Sequence, residues 1–267
     1  MHPDFRTLNL GGRLWTLERP TVVGILNVTP DSFSDGGKYC RLDDAVRKAR
    51  ELVEEGADWL DVGGQSTRPG AEDVGADEEI RRILPVVQAI AKLGVPVSID
   101  TYRPEVARAA LDAGACVIND VTGANPEMFA VAREFRVPVV VGHMQGRPKT
   151  MQINPRYDDV FEQVYAHFVQ KRNLADEFGV KDLIFDPGFG FGKTLEHNYE
   201  LLRRLGEFPR PLMAGMSRKS MIRNLPWLEG KLDDAAFAVE SDAAHFWALL
   251  AGADFLRVHV PQTARRL

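Results

Sequence analysis

At 267 residues, 45% of them hydrophobic, the chain can bury one large core and has the length of a single α/β barrel. Its formal charge of −5 and the lack of a basic run exclude a nucleic-acid groove or an anionic membrane surface as the main partner, so an anionic ligand must be met by a few placed cations. Two cysteines without CxxC spacing, Cys40 and Cys116, exclude a disulfide framework or metal knuckle; with neither a secretory leader nor a spanning apolar run, a soluble cytoplasmic protein is expected.

The N-terminal stretch, about residues 5–18, has short alternating runs on either side of Gly11 and Gly12 and predicts a hairpin lying over the closed end of the main fold. Thr21 to Val28 has the β-branched density of a buried strand. Pro30 stops it, and Asp31 to Gly37 supply a small-residue, oxygen-rich loop beyond Asn27. A helix over Asp43 to Glu55 then places Val46, Ala49, Leu52 and Val53 on one face, and Gly56 ends it.

The same unit recurs without a domain break. Strands are predicted at Asp58 to Gly63, Val95 to Asp100, Ala115 to Asp120, Val137 to Met144, Asp182 to Asp186, Pro211 to Met216 and Ala253 to Val258. Amphipathic helices separate them: one aligning Ile80, Ile83, Leu84, Val87 and Ile90, then Pro104 to Ala113, Pro126 to Phe135, about Arg156 to Phe178, Glu196 to Leu205, and one or two up to Leu250. Eight such alternations predict one (β/α)8 TIM barrel domain over residues 1–267, of the α/β class. An open doubly wound sheet would want a GxGxxG turn after its first strand, and the chain has NVTPDSFSDGG there.

Barrels of this kind carry chemistry at the C-terminal ends of their strands. Those ends are Asn27, Asp61, Asp100, Asn119, His143 with Met144, Asp186, Gly215 with Ser217, and Arg257 with His259. So many hydrogen-bonding groups at one end exceed what packing needs and suggest a polar ligand. Asp100, Asn119 and Asp186 suit a flat ring rich in N–H donors, with Val121, Met144 and Phe191 as apolar faces. Arg68, Lys219, Arg257 and His259 suit a di- or triphosphate with a divalent metal, to which neutral Asn27 contributes only if phosphate and water supply the rest. DPGFGFGK, Asp186 to Lys193, lacks phosphate-loop spacing and is expected to bring Phe189 and Phe191 to the rim. SRKS, Ser217 to Ser220, opens a helix whose free N–H groups suit a carboxylate.

NVTPDSFSDGG, STRPGA, SIDTY, IND, HMQG, FDPGFGFGK, GMSRKSMI and RVH occur in that order from Thr21 to His259, and together they resemble dihydropteroate synthase, the folate-pathway transferase inhibited by sulfonamides. The resemblance implies condensation of 6-hydroxymethyl-7,8-dihydropterin diphosphate with 4-aminobenzoate, releasing pyrophosphate, with Mg2+ as cofactor. It implies that Asp100, Asn119, Val121, Met144, Asp186, Phe191, Gly215 and Lys219 bind the pterin. Asn27, Thr67, Arg68, Arg257 and His259 would bind the diphosphate, with Asn27 as metal ligand. Phe33, Thr67, Arg68, Pro69, Phe191, Lys219 and Ser220 would bind the aminobenzoate, and Asn27, Asp100, Lys219, Arg257 and His259 would carry the catalysis. Loops at Asp31 to Gly37 and Ser66 to Gly70 would close over it, with Asp35 assisting.

Departures from the family pattern are Gln65 in place of glutamate, Arg223 in place of glycine, Val260 in place of aspartate, and the glycine before His143. After His259 only VPQTARRL remains, so the last helix is expected to be short, and the wide apolar surface around Phe246 and Trp247 bears on the homodimers common in the family. The alternatives are a non-catalytic pterin-binding paralogue and, less well matched, a corrinoid-type pterin methyltransferase barrel.

Overall fold

A computed structural model describes residues 6–29, 38–67, 70–225 and 233–267. The hairpin forms as expected from β1 (Arg6–Leu10) and β2 (Arg13–Leu17), which pair antiparallel about Gly11 and Gly12. Eight further strands follow: β3 (Thr21–Asn27), β4 (Trp59–Gly63), β5 (Val97–Asp100), β6 (Val117–Asp120), β7 (Val139–Gly142), β8 (Leu183–Asp186), β9 (Met213–Ala214) and β10 (Phe255–Val258). They form one parallel sheet in the order β8-β7-β6-β5-β4-β3-β10-β9. A parallel bridge between Phe185 and Leu212, with Phe185 N donating to Pro211 O at 2.9 Å, joins the two ends into a barrel.

Between the strands run α1 (Lys38–Glu54), α2 (Ala76–Ile90), α3 (Pro104–Asp112), α4 (Pro126–Phe135), α5 (Val160–Glu177), α6 (Leu195–Arg203), α7 (Ser220–Arg223) and α8 (Asp234–Leu250), and α9 (Pro261–Ala264) ends the fold. The last is a single turn. Helix α5 starts later than the pattern suggested because Asp159 caps it, accepting from Glu162 N at 3.0 Å. On α2 the inward face carries Glu79 and Val86 beside Ile83, Val87 and Ile90, while Ile80 and Leu84 are half-buried.

Strand periodicity places the site. Inward residues near the strand starts are apolar: Val23, Trp59, Val117, Val140, Ile184, Met213 and Phe255 cluster with Leu8 and Leu10 of the hairpin, which plugs that end. Two positions further along, the inward residues on four of these strands become polar: Asp61, Asn119, Asp186 and Arg257. On β5 the inward pair is Ser98 and Asp100, both buried. The second, larger core lies between the outer wall of the barrel and the helices. One end of the barrel is therefore sealed with hydrocarbon, and the other is lined with charge.

Candidate active site

Strand register sets the upper ring. Asn27 pairs with Gly63, Gly63 with Asp100, Asp100 with Asn119, and Gly142 with Asp186. Gly63 leaves room here, since a Cβ on it would lie 3.7 Å from both Asn27 Oδ1 and Asp100 Oδ2. Gly215 does the same on the far side, where a Cβ would lie 3.6 Å from Arg257 Cβ and 3.8 Å from Asp186 Oδ2. Asn27 and Asp100 thus flank Gly63, and Asp186 and Arg257 flank Gly215.

At its centre Arg257 donates through Nε to Asp61 Oδ2 (2.6 Å) and through Nη2 to Asp100 Oδ2 (2.7 Å). Asn119 Nδ2 donates to the same Asp61 oxygen at 3.0 Å. Burial opposes the charge on Arg257, but the Asp61 and Asp100 carboxylates outweigh it and hold its pKa above the ordinary guanidinium value. Burial pushes Asp100 up to about 7 in spite of Arg257, and the neighbouring Asp61 carboxylate adds to the rise. The second oxygens, Asp61 Oδ1 and Asp100 Oδ1, are buried without a hydrogen-bond partner. A buried acceptor left unmet costs about 1–3 kcal/mol, so these atoms point to a ligand bearing N–H donors.

The opposite wall is built by the loop after β8. Asp186 Oδ1 accepts from Gly188 N at 2.8 Å. Lys219 donates to Phe189 O, and its ammonium stands 4.5 Å from the centroid of the Phe191 ring. Burial pulls the Lys219 pKa down to about 8, with Asp186 opposing the shift. A flat apolar face, a cation and a carboxylate meet there. Phe189 does not reach the rim as the loop sequence suggested; it is fully buried, while Phe191 is half-buried under Lys219.

Further out, His259 Nδ1 and its backbone N lie 3.0 and 3.2 Å from Ser217 Oγ, which ties the end of β10 to the turn after β9. Ser220 is exposed at the start of α7, a helix of one turn. Val121 is buried at the end of β6 and packs on Gly142; Met144 and Thr67 are half-buried beyond β7 and β4. The expected site residues Phe33, Asp35, Arg68 and Pro69 lie outside the described residues, as does the loop Asp31 to Gly37. Asp61 was expected only as a polar strand end, and Ser217 as the first residue of a helix that in fact begins at Ser220. Asp61 is marked in the sequence by its inward position two residues after Trp59, and Ser217 by its place beside Lys219.

Gln65, the first departure from the family pattern, anchors the base of the next loop. Its Oε1 accepts from Arg103 Nη1 (2.9 Å) and Val74 N (3.3 Å), and its Nε2 donates to Tyr102 OH (2.8 Å). Arg103 also pairs with buried Glu79 and with Asp73. Among the described residues, no group of three or more His, Cys, Asp or Glu is placed to hold a metal. A magnesium ion here would depend on Asn27 and on oxygens brought by the ligand, a donor set this ion accepts.

Residues 23–259 match the model of a family described as pterin binding enzyme. The dihydropteroate synthase of Escherichia coli (strain K12) is 47% identical over 256 residues, covering 91% of this chain and 87% of that one. Xanthomonas albilineans dihydropteroate synthase with 4-aminobenzoic acid superposes with a TM-score of 0.89 at 43% identity, covering 98% of this chain and 96% of the other. The same enzyme has been solved in complex with 7,8-dihydropteroate. Yersinia pestis dihydropteroate synthase, in a sulfonamide drug complex, gives 0.89 at 41% identity, again with coverages of 98% and 96%.

Proposed function

The chain belongs to the dihydropteroate synthases within the pterin-binding enzymes, and from that membership we propose that it condenses 6-hydroxymethyl-7,8-dihydropterin diphosphate with 4-aminobenzoate by a dissociative substitution at the pterin methylene. The observation that carries the reading is the unpartnered, buried Asp100 Oδ1 in register with Asn119, an acceptor matched to the N–H donors of a pterin.

In this mechanism the methylene C–O bond breaks with its electron pair leaving on the diphosphate. The carboxyl groups of Asp100 and Asp186 stabilise the positive charge left on the electron-rich dihydropterin. Arg257, His259 and Lys219 are proposed to meet the charge that develops on the departing oxygens. Mg2+, held by Asn27 and the diphosphate itself, would supply charge neutralisation to the leaving group. The aromatic amine then attacks the methylene and sheds a proton, its ring on Phe191 and its carboxylate at Ser220. No protein nucleophile is required. Arg68, Thr67, Phe33 and Pro69 are proposed on the family resemblance to complete the diphosphate and aminobenzoate sites.

Sulfonamides should compete for the aminobenzoate position, as the Yersinia pestis complex suggests. A cytoplasmic location and a homodimer are part of the same proposal. Among the described residues, no helix is long and apolar enough to cross a membrane. The test is pyrophosphate release by purified protein from the pterin diphosphate with Mg2+, with and without 4-aminobenzoate, alongside detection of dihydropteroate. Release coupled to product supports the reading. Tight pterin binding without product would replace it with the non-catalytic paralogue.

A further inference from the structure

The most completely buried cation in the described structure takes no part in that chemistry. Lys193, the last residue of the DPGFGFGK loop, is 3% exposed. Its Nζ lies 2.9 Å from Gly188 O, 3.0 Å from Phe191 O, and 3.1 Å from both His143 O and His143 Nδ1. Three carbonyl oxygens, which can only accept, surround the Lys193 nitrogen and take up its N–H groups, with the His143 imidazole beside them. Burial pulls the Lys193 pKa well below the ordinary ammonium value and, with Lys193 beside it, brings that of His143 down to about 2.

The cage joins the parts on which the ligand wall depends. Gly188 supplies the N–H that orients Asp186, and Phe191 supplies the apolar face under Lys219. His143 belongs to the end of β7, so the clip fastens the loop to a neighbouring strand. The loop fits there because its glycines carry no side chains. Gly188 and Gly192 have φ of +69° and +62°, and a Cβ on them would stand 2.0 Å from His143 O and 2.2 Å from Gln145 O. Such tight backbone contact brings carbonyl groups together and needs a buried donor at its centre.

We propose that Lys193 is a positioning residue that clips the β8–α6 loop to the end of β7 and thereby sets Asp186 and Phe191 for the pterin and aminobenzoate rings. It touches neither ring and acts through Gly188, Phe191 and His143. The assignment of the rings rests on the proposed function, while the clip itself is a property of the fold.

Both parts are tested with Lys193→Met, which keeps the volume and removes every donor, and with Lys193→Gln, which keeps two N–H groups. The expected result is faster amide hydrogen exchange over residues 188–192 with unchanged exchange in the barrel strands. With it should come a rise on the order of tenfold in KM for 4-aminobenzoate and in pterin Kd, with kcat changed less, in keeping with the cost of misplacing a bound group. Lys193→Gln should lie between wild type and Lys193→Met. Wild-type exchange and KM in both variants would overturn the proposal, as would faster exchange spread evenly over the barrel. Should the wild-type protein make no dihydropteroate, the synthase reading fails, and the exchange experiment still decides the clip.

Discussion

Asp100 and Lys219 face opposite penalties from the same burial, and their pKa shifts set a pH window for ligand binding. Burial raises Asp100 from 3.8 to about 7, so the folded protein keeps a proton that the unfolded chain has released, and this residue's contribution to stability falls as pH rises between those values. Burial lowers Lys219 from 10.5 to about 8, so above pH 8 the site loses a cation that the unfolded chain retains. A pterin diphosphate wants Asp100 ionised and Lys219 protonated. Its affinity should therefore rise toward pH 7 and decline above pH 8. Calorimetric titration across that range should show Asp100→Asn losing the acidic limb and Lys219→Met the alkaline one. Asp100→Asn should also bind about 10- to 100-fold more weakly, the effect of one charged hydrogen bond worth roughly 1.5–3 kcal/mol. An acidic limb that survives in Asp100→Asn would assign it to another group. At this scale the sequence marks residues that end strands in polar character, such as Asp100, Asn119 and Asp186. It does not reveal the role of Asp61, which fixes Arg257 from a strand 196 residues away in sequence.

Among the elements, the eight strands were legible because each is a continuous apolar run bounded by glycine, proline or aspartate. What the pattern hides is length and polarity inside helices. Strand β9 shrinks to two residues after Pro211, and α2 turns a glutamate inward. Glu79 is 1% exposed, and burial raises its pKa while the Thr101 side chain and Arg103 oppose the rise. Its charge assigns such a residue to solvent; the partners on the next unit, Arg103 and Thr101, explain its burial. That arginine links α2, the turn after β5 and the Gln65–Val74 loop base. Arg103→Ala should leave a buried carboxylate unpaired and cost about 3–5 kcal/mol in urea unfolding, and adding Glu79→Gln should recover part of the loss. Equal stability of the single and double variants would place the cost in packing rather than charge. Because the same arginine bonds Gln65 at the root of the loop carrying Thr67, the single variant should also raise KM for 4-aminobenzoate.

At the scale of the whole molecule, the one-turn α9 is docked onto the barrel by its own contacts. Arg265 Nη1 reaches Asp58 Oδ2 at 3.3 Å, Thr263 Oγ1 donates to Asp242 Oδ1 at 3.0 Å, and Ala264 is buried in the outer core. The outer face of α8 is different. Val239, Phe246 and Leu250 are spaced seven and four residues apart on one stripe and are 66%, 48% and 68% exposed, and Trp247 beside them is 52% exposed. Next to the stripe, a groove of about 410 Å³ between α6, α7 and α8 is lined mostly by apolar side chains, among them Leu202, Ile222, Leu225 and Trp247, with Arg203 and Glu240 also on it. An apolar ridge beside an apolar groove on one face is self-complementary under a two-fold axis, since the ridge of each copy can enter the groove of the other. The proposed homodimer is therefore expected to form through α8, and sedimentation should give twice the chain mass of 29.7 kDa. Phe246→Glu with Leu250→Glu should yield a monomer that keeps its barrel, because neither side chain belongs to either core. A wild-type protein that sediments as a monomer at every concentration would remove the dimer. A double variant that remains dimeric would move the interface to another face.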